Sequence, residues 1–188
     1  MNIKIINIIG PSGAGKTTIA NKALKSKGIP ELISHTSREL RVKDNEIDGV
    51  SYYFTNKETI QKMIDNDEVI EYTNNSGNLY CLSKKEVVEK AKLSPIVYSI
   101  TDIVGNKHLK DYFGNENVYT VGIYNTIEVL KERLILRGES KSTIEKRVRT
   151  MEEELNNKNL SDEIIFNDNF DKSVQEMESI LTKIKSSL

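Results

Sequence analysis

The chain has 188 residues and a formal net charge of −1, which suits one globular domain with room for a small inserted lobe and leaves too little chain for two independent cores. A charge balance so near neutral gives no general attraction to nucleic acid or to an anionic membrane, so any contact with a polyanion must be local. The single cysteine, Cys81, excludes an internal disulfide and a cysteine-cluster metal site, and suits a reducing cytoplasm.

In chain order, Ile3 to Ile9 is a β-branched run ending at Gly10, the pattern of a buried parallel strand feeding a tight turn. Its apolar part is far too short to span a bilayer and no cleavage-site pattern follows it, so a soluble, cytoplasmic protein is expected. A helix is expected from Lys16 to about Lys25, and Leu32 to Thr36 reads as a second strand. The pattern then changes to a polar stretch, Arg38 to Gly49, and an aromatic strand, Val50 to Phe54, which marks an insertion. Within it, Thr55 and Glu58 read as a capping box for a helix ending near Asn66. Glu68 to Thr73 is a strand, Asn74 to Asn78 are turn residues, and Leu79 to Leu82 is a short segment, so the insert is expected to be a small, mainly antiparallel sheet with one helix.

A second capping box, Ser83 with Glu86, opens the next helix. The core alternation resumes with strand Pro95 to Thr101, helix Ile103 to Lys110, strand Val118 to Tyr124 and helix Ile127 to about Arg137. Ser142 and Glu145 are expected to cap a helix reaching Asn156, before a strand, Glu163 to Phe166, and an amphipathic helix, Lys172 to Ile184. Strands separated by helices imply an α/β fold, a parallel sheet covered on both faces.

Residues Gly10, Pro11, Ser12, Gly13, Ala14, Gly15, Lys16 and Thr17 fit GxxxxGK[ST] without a mismatch, between a predicted strand and a predicted helix as that motif requires. The glycines let backbone N–H groups converge on phosphate oxygens, and the helix N-terminus, which also carries Thr18, adds partial positive charge. Lys16 can reach the outer phosphates and the Thr17 hydroxyl can ligate Mg2+. A nucleoside triphosphate with Mg2+ is therefore the expected donor. All six arginines fall in two groups, Arg38 and Arg41, then Arg133, Arg137, Arg147 and Arg149. Arginine's rigid fork suits bidentate phosphate contacts, so both groups invite a phosphate reading; helix-surface ion pairing is the alternative for the second.

The ordered series "SHTSRELR", "DGVSYYF", "EVIEYTNNSGNLY", "RGESKSTIEKR" and "FNDNFD", following the phosphate loop, resembles guanylate kinase over nearly the whole chain. The resemblance implies a P-loop core (residues 1–33, 84–136 and 148–188), a GMP-binding lobe (34–83) and a lid (137–147). It implies that Arg38, Arg41, Tyr52 and Tyr80 hold the GMP phosphate, that Ser34 and Glu71 read the base, and that the lid brings Arg137 and Arg147 onto the transferring phosphoryl group. Guanine's N1–H and N2 amine are adjacent donors that one ionised carboxylate can accept together, whereas adenine has an acceptor at N1 and no amine at C2. Arg133 and Asn167 fall in the expected ATP region, although "ND" before a helix is also an ordinary turn. By the same resemblance the activity is phosphoryl transfer from MgATP to GMP and dGMP, with Lys16, Arg41, Arg137 and Arg147 on the group in flight.

The series has departures. Cys81 and Leu82 stand where the family has glycine and then serine or threonine, so a hydroxyl expected near guanine O6 is missing in register, and Ser34 or a shifted Ser83 would have to serve. Asp102 takes the place of the second acid of the family's strand end, where it could hold a Mg2+ water, approach the guanine amine, or simply cap a helix. His35 replaces a small residue and, with His108, reads as structural. Two other readings stay open: a related small-molecule kinase with another acceptor, and a guanylate-kinase-like interaction module, against which stand the intact Lys16, Thr17 and lid arginines.

Overall fold

The computed structural model describes residues 3–42, 45–75 and 77–188; Met1, Asn2, Lys43, Asp44 and the turn residue Ser76 lie outside the described residues. The run expected at Ile3 to Ile9 forms β1 (Lys4–Ile9), whose alternation sends Ile6 and Ile8 into one buried cluster and Ile3 and Ile5 into the other. It lies between β6 (Ile96–Ile100) and β7 (Val118–Tyr124), and β8 (Glu163–Phe166) adds beyond β7, giving the parallel order β6-β1-β7-β8. One face is covered by α1 (Lys16–Ala23), α5 (Ile127–Leu136) and α7 (Phe170–Lys185) through Ile19, Leu130, Leu134, Met177 and Leu181. The other is covered by α3 (Lys84–Ala91) and α4 (Ile103–Phe113) through Val87 and Leu109. A further helix, α6 (Lys141–Asn156), packs on α5.

A second, mixed sheet has the order β3-β2-β5-β4, from β2 (His35–Thr36), β3 (Tyr53–Phe54), β4 (Val69–Asn75) and β5 (Asn78–Ser83), with α2 (Lys57–Asp65) against it. Its β2–β3 pair is parallel and its β2–β5 and β4–β5 pairs are antiparallel. β4 and β5 run further into their hairpin than expected, pairing Asn75 with Asn78, and Gly77 takes the left-handed conformation of the turn.

Sequence and structure differ at three kinds of place. The strand expected at Leu32 to Thr36 is divided: Glu31 bridges Tyr98 at the edge of the parallel sheet, with the Leu32 N–H on the Tyr98 carbonyl, while His35 and Thr36 belong to the second sheet. Ile33 and Ser34 are the crossing between them. Helix starts also move, because more than one side chain nearby can serve as a cap. Asn56, rather than Thr55, accepts the Thr59 N–H at 2.7 Å, and Ser140, rather than Ser142, accepts the Thr143 N–H at 3.2 Å. Ser83 caps α3 as expected, but the Glu86 carboxylate does not close a capping box, being engaged elsewhere. Among the described residues no helix is long and apolar enough to cross a membrane.

Candidate active site

The phosphate loop joins β1 to α1. Gly10 has φ 134°, and a Cβ there would lie 2.1 Å from the Ile123 carbonyl oxygen of β7. Gly15 caps α1 in the left-handed conformation, and a Cβ there would strike the Asn167 side chain at 2.5 Å. The loop is thus shaped by glycine and packed from behind. Arg133 on α5 donates to the carbonyls of Gly13 (3.1 Å), Ala14 (3.4 Å) and Asn167 (3.1 Å), while the Asn167 amide donates to Ala14 at 2.7 Å. Asn167 is itself buried and bonded to Asn125 and Ser173. Both residues expected beside ATP therefore touch the outer side of the phosphate loop.

Lys16, first residue of α1, turns its amine back to the carbonyls of Gly10 (2.5 Å) and Pro11 (3.0 Å). Burial, opposed by Glu154 and reinforced by the charges of Arg137 and Arg147, lowers its pKa from 10.5 to about 8. Thr17 and Thr18 are exposed residues on the first turn. Arg147 of α6 reaches across to the Ser12 hydroxyl and pairs with Glu139 at 3.2 Å. Burial and the positive charges of Arg41 and Arg137 hold its pKa below the usual arginine value. Arg41 comes from the loop between β2 and β3 and Arg137 ends α5, so this one guanidinium senses cations from two separate elements. Arg149 points outward and is exposed, as its spacing from Arg147 implies.

On the lobe, Arg38 stacks over Tyr52 (5.5 Å to the ring centroid) and Phe54 (5.7 Å), and Tyr52 meets Tyr80 edge-on at 5.9 Å. Its fork is held by Glu46, at 2.7 and 3.0 Å, and Glu46 also accepts the Arg41 backbone N–H at 2.8 Å. Despite its partial burial, those bonds keep the Glu46 carboxyl below the ordinary carboxylate range. Glu46 lay unmarked in a polar loop, and no signal in its neighbours distinguishes it from the other acids there.

Glu71 lies on β4, 5% exposed, opposite Leu82 of β5. Burial first, and the nearby Asp102 charge second, raise its pKa from 4.5 to about 8. Gly105 in the first turn of α4 leaves room for it: a Cβ there would sit 3.3 Å from a Glu71 carboxylate oxygen. Asp102 is the N-cap of α4, one oxygen accepting the Gly105 N–H at 2.8 Å. Leu82 is fully buried in the core cluster that contains Ile5 and Leu109. Ser83 is 6% exposed, and its hydroxyl accepts the Glu86 N–H at 3.2 Å as the cap of α3.

Electrostatic contacts link these groups: Arg147 with Arg41 and Tyr80, and Asp102 with both Lys16 and Glu71. A family model described as guanylate kinase matches residues 2–184. Two curated relatives named guanylate kinase are similar over nearly the full length: one from Carboxydothermus hydrogenoformans, 38% identical over 96% of this chain and 88% of its own, and one from Clostridioides difficile, 33% identical over 97% and 88%. The crystal structure of guanylate kinase from Anaplasma phagocytophilum superposes with a TM-score of 0.77 at 23% identity, covering 97% of this chain and 86% of that one, which supports the fold. On these grounds the chain belongs to the guanylate kinase family.

Proposed function

We propose that the cleft transfers the γ-phosphoryl group of MgATP to the phosphate of GMP or dGMP, releasing ADP and GDP or dGDP. The observation that carries the residue assignment is the reach of Arg147, which touches Ser12 of the phosphate loop and lies within the field of Arg41 on the acceptor side. The loop from Gly10 to Thr18 cradles the donor's phosphates. Arg38, Arg41, Tyr52 and Tyr80 seat the acceptor phosphate, with Glu46 holding the Arg38 guanidinium over Tyr52 and Phe54. Glu71, once ionised, accepts guanine N1–H and the N2 amine together, and Ser34 supplies a hydroxyl to the base. Lys16, Arg41, Arg137 and Arg147 neutralise charge as the phosphoryl group passes in line, and α6 closes to exclude water. No covalent enzyme intermediate is needed.

Mg2+ bound with ATP would spread charge from the β and γ oxygens. The donor set fits it: Thr17 is exposed next to Lys16 and its hydroxyl would bind the ion, and Asp102, whose second oxygen is not used in capping, would reach it through water. A reducing cytoplasm suits a chain whose one thiol, Cys81, is buried and free. The deciding experiment is a coupled ADP-release assay with GMP, dGMP, AMP, CMP, UMP and a water-only control. Turnover with GMP and dGMP alone is expected. Comparable turnover with AMP would remove Glu71 as the base reader, and strong ADP release without an acceptor would make the chain a nucleotide hydrolase.

A further inference from the structure

The crossing between the two sheets, Ile33 and Ser34, is held by a carboxylate from the core. Glu86 is only 6% exposed. One of its oxygens accepts the Ile33 backbone N–H at 3.0 Å and the other accepts the Tyr53 phenol at 3.0 Å. The Tyr53 backbone N–H, in turn, donates to the Ser34 carbonyl at 3.0 Å. These bonds close a ring through α3, the crossing and β3, gripping Ser34 at the amide before it and at its own carbonyl. The His35 ring lies against Tyr53 at 4.8 Å, and Lys90, one turn along α3, brings its ammonium to 3.5 Å from Glu86. A buried carboxylate is tolerated only where its lone pairs are filled, and here two donors from outside its own helix fill them.

The residues around this ring explain why it matters for the base. Leu82 is committed to the core and the Ser83 side chain is fixed as the α3 cap, so no residue of β5 stands in register as the hydroxyl expected near guanine O6. Ser34 is the hydroxyl next to the crossing, and Glu86 bonds the residue before it and the side chain of the residue whose N–H holds its carbonyl. We propose that Glu86 is a positioning residue for acceptor recognition: by holding the Ile33 amide directly and, through the Tyr53 phenol, the residue that bonds the Ser34 carbonyl, it fixes where the Ser34 hydroxyl stands and how the lobe leaves the core. The assignment rests on the reading that Ser34 and Glu71 face the base of GMP.

Steady-state kinetics with Glu86→Gln and Tyr53→Phe test it. Glutamine keeps the size but turns an NH2 group toward one of the two donors, breaking the ring at one side. The expected result for Glu86→Gln is a KM for GMP raised by about 10-fold, the scale of one lost charge-assisted hydrogen bond, with the KM for ATP within about twofold of wild type. The preference for GMP over AMP, read as the ratio of kcat/KM values, falls with it. Tyr53→Phe opens the ring at its other side and shifts the KM for GMP in the same direction by a smaller factor. Ser34→Ala added to Glu86→Gln costs less than Ser34→Ala in the wild type, because both act through one hydroxyl.

Equal increases in both KM values, or a lower thermal midpoint with the KM for GMP unmoved, would reduce Glu86 to a structural residue and overturn the proposal. Should Glu86→Gln fail to fold, Tyr53→Phe decides alone, and an unchanged KM for GMP in that variant overturns it. A wild-type enzyme that ignores GMP would defeat the function itself, whereas one that uses GMP, depends on Glu71 and is indifferent to Glu86 and Tyr53 would defeat only this inference.

Discussion

Glu71 should couple GMP binding to proton release. In the folded chain its pKa stands at about 8 because burial and Asp102 disfavour the anion. Guanine offers two donors, so the form that accepts both is the carboxylate, and only the ionised fraction is ready to bind. With one pKa unit worth a factor of ten, about one molecule in 100 is ionised at pH 6 and about half at pH 8, so the affinity Glu71 contributes should rise about 50-fold across that interval. The GMP phosphate also ionises near pH 6, but Glu71→Gln carries that dependence alone, so the ratio of wild-type to variant affinity isolates the carboxyl. Titration calorimetry at pH 6, 7 and 8, in two buffers of different ionisation enthalpy, reads both the ratio and the protons released, which should approach one per GMP at pH 6. A ratio that stays flat, or heats independent of buffer, would refute the reasoning. The free protein carries the same linkage. A carboxyl whose folded pKa lies above its unfolded value favours the fold fully below 4.5, and that contribution is lost as the pH climbs to about 8. The thermal midpoint of the wild type should therefore decline relative to Glu71→Gln over that window.

Removing the amine by Lys16→Ala should lower kcat by about 100- to 1,000-fold with the fold intact by circular dichroism, as expected for loss of one charge-stabilising group; retained turnover would displace Lys16 from the transfer step. Arg147→Lys, which keeps the charge but loses the fork shared between Ser12 and Glu139, should cut kcat by about 100-fold in the coupled assay and change the KM for GMP little. Glu46→Ala should raise the KM for GMP by about 10-fold, because Arg38 loses the bidentate partner that orients it over Tyr52 and Phe54. Leu82→Thr, which restores the family's hydroxyl, should cost about 1–3 kcal/mol in urea unfolding, since that hydroxyl enters a filled apolar cluster; an unchanged midpoint would mean that the position faces the cleft.

The phosphate loop, the parallel strands and the order of the motifs were legible along the chain because each depends on neighbours in sequence: glycine where the backbone must turn, β-branched residues where a strand is buried on both faces, a cap beside its helix. Strands Val118–Tyr124 and Glu163–Phe166 have the expected bounds for that reason. Local preference was less decisive where two nearby residues could do the same work, as with Asn56 beside Thr55 and Ser140 beside Ser142. It failed at Leu32 to Thr36, whose apolar and β-branched residues read as one strand, while pairing with two different sheets divides them.

What the sequence by itself determined is the chemistry available: a phosphate-binding turn, arginines in two groups, and one carboxylate at the place of a guanine reader. Only the tertiary structure decided how those groups are tuned and held. The pKa of Glu71 depends on burial and on Asp102, the orientation of Arg38 on Glu46, and the bond that holds the Ile33 amide on Glu86, 53 positions further along the chain. Desolvation, charge pairing and hydrogen bonding act across space, and short-range patterns along the chain carry no record of which distant partner will be there.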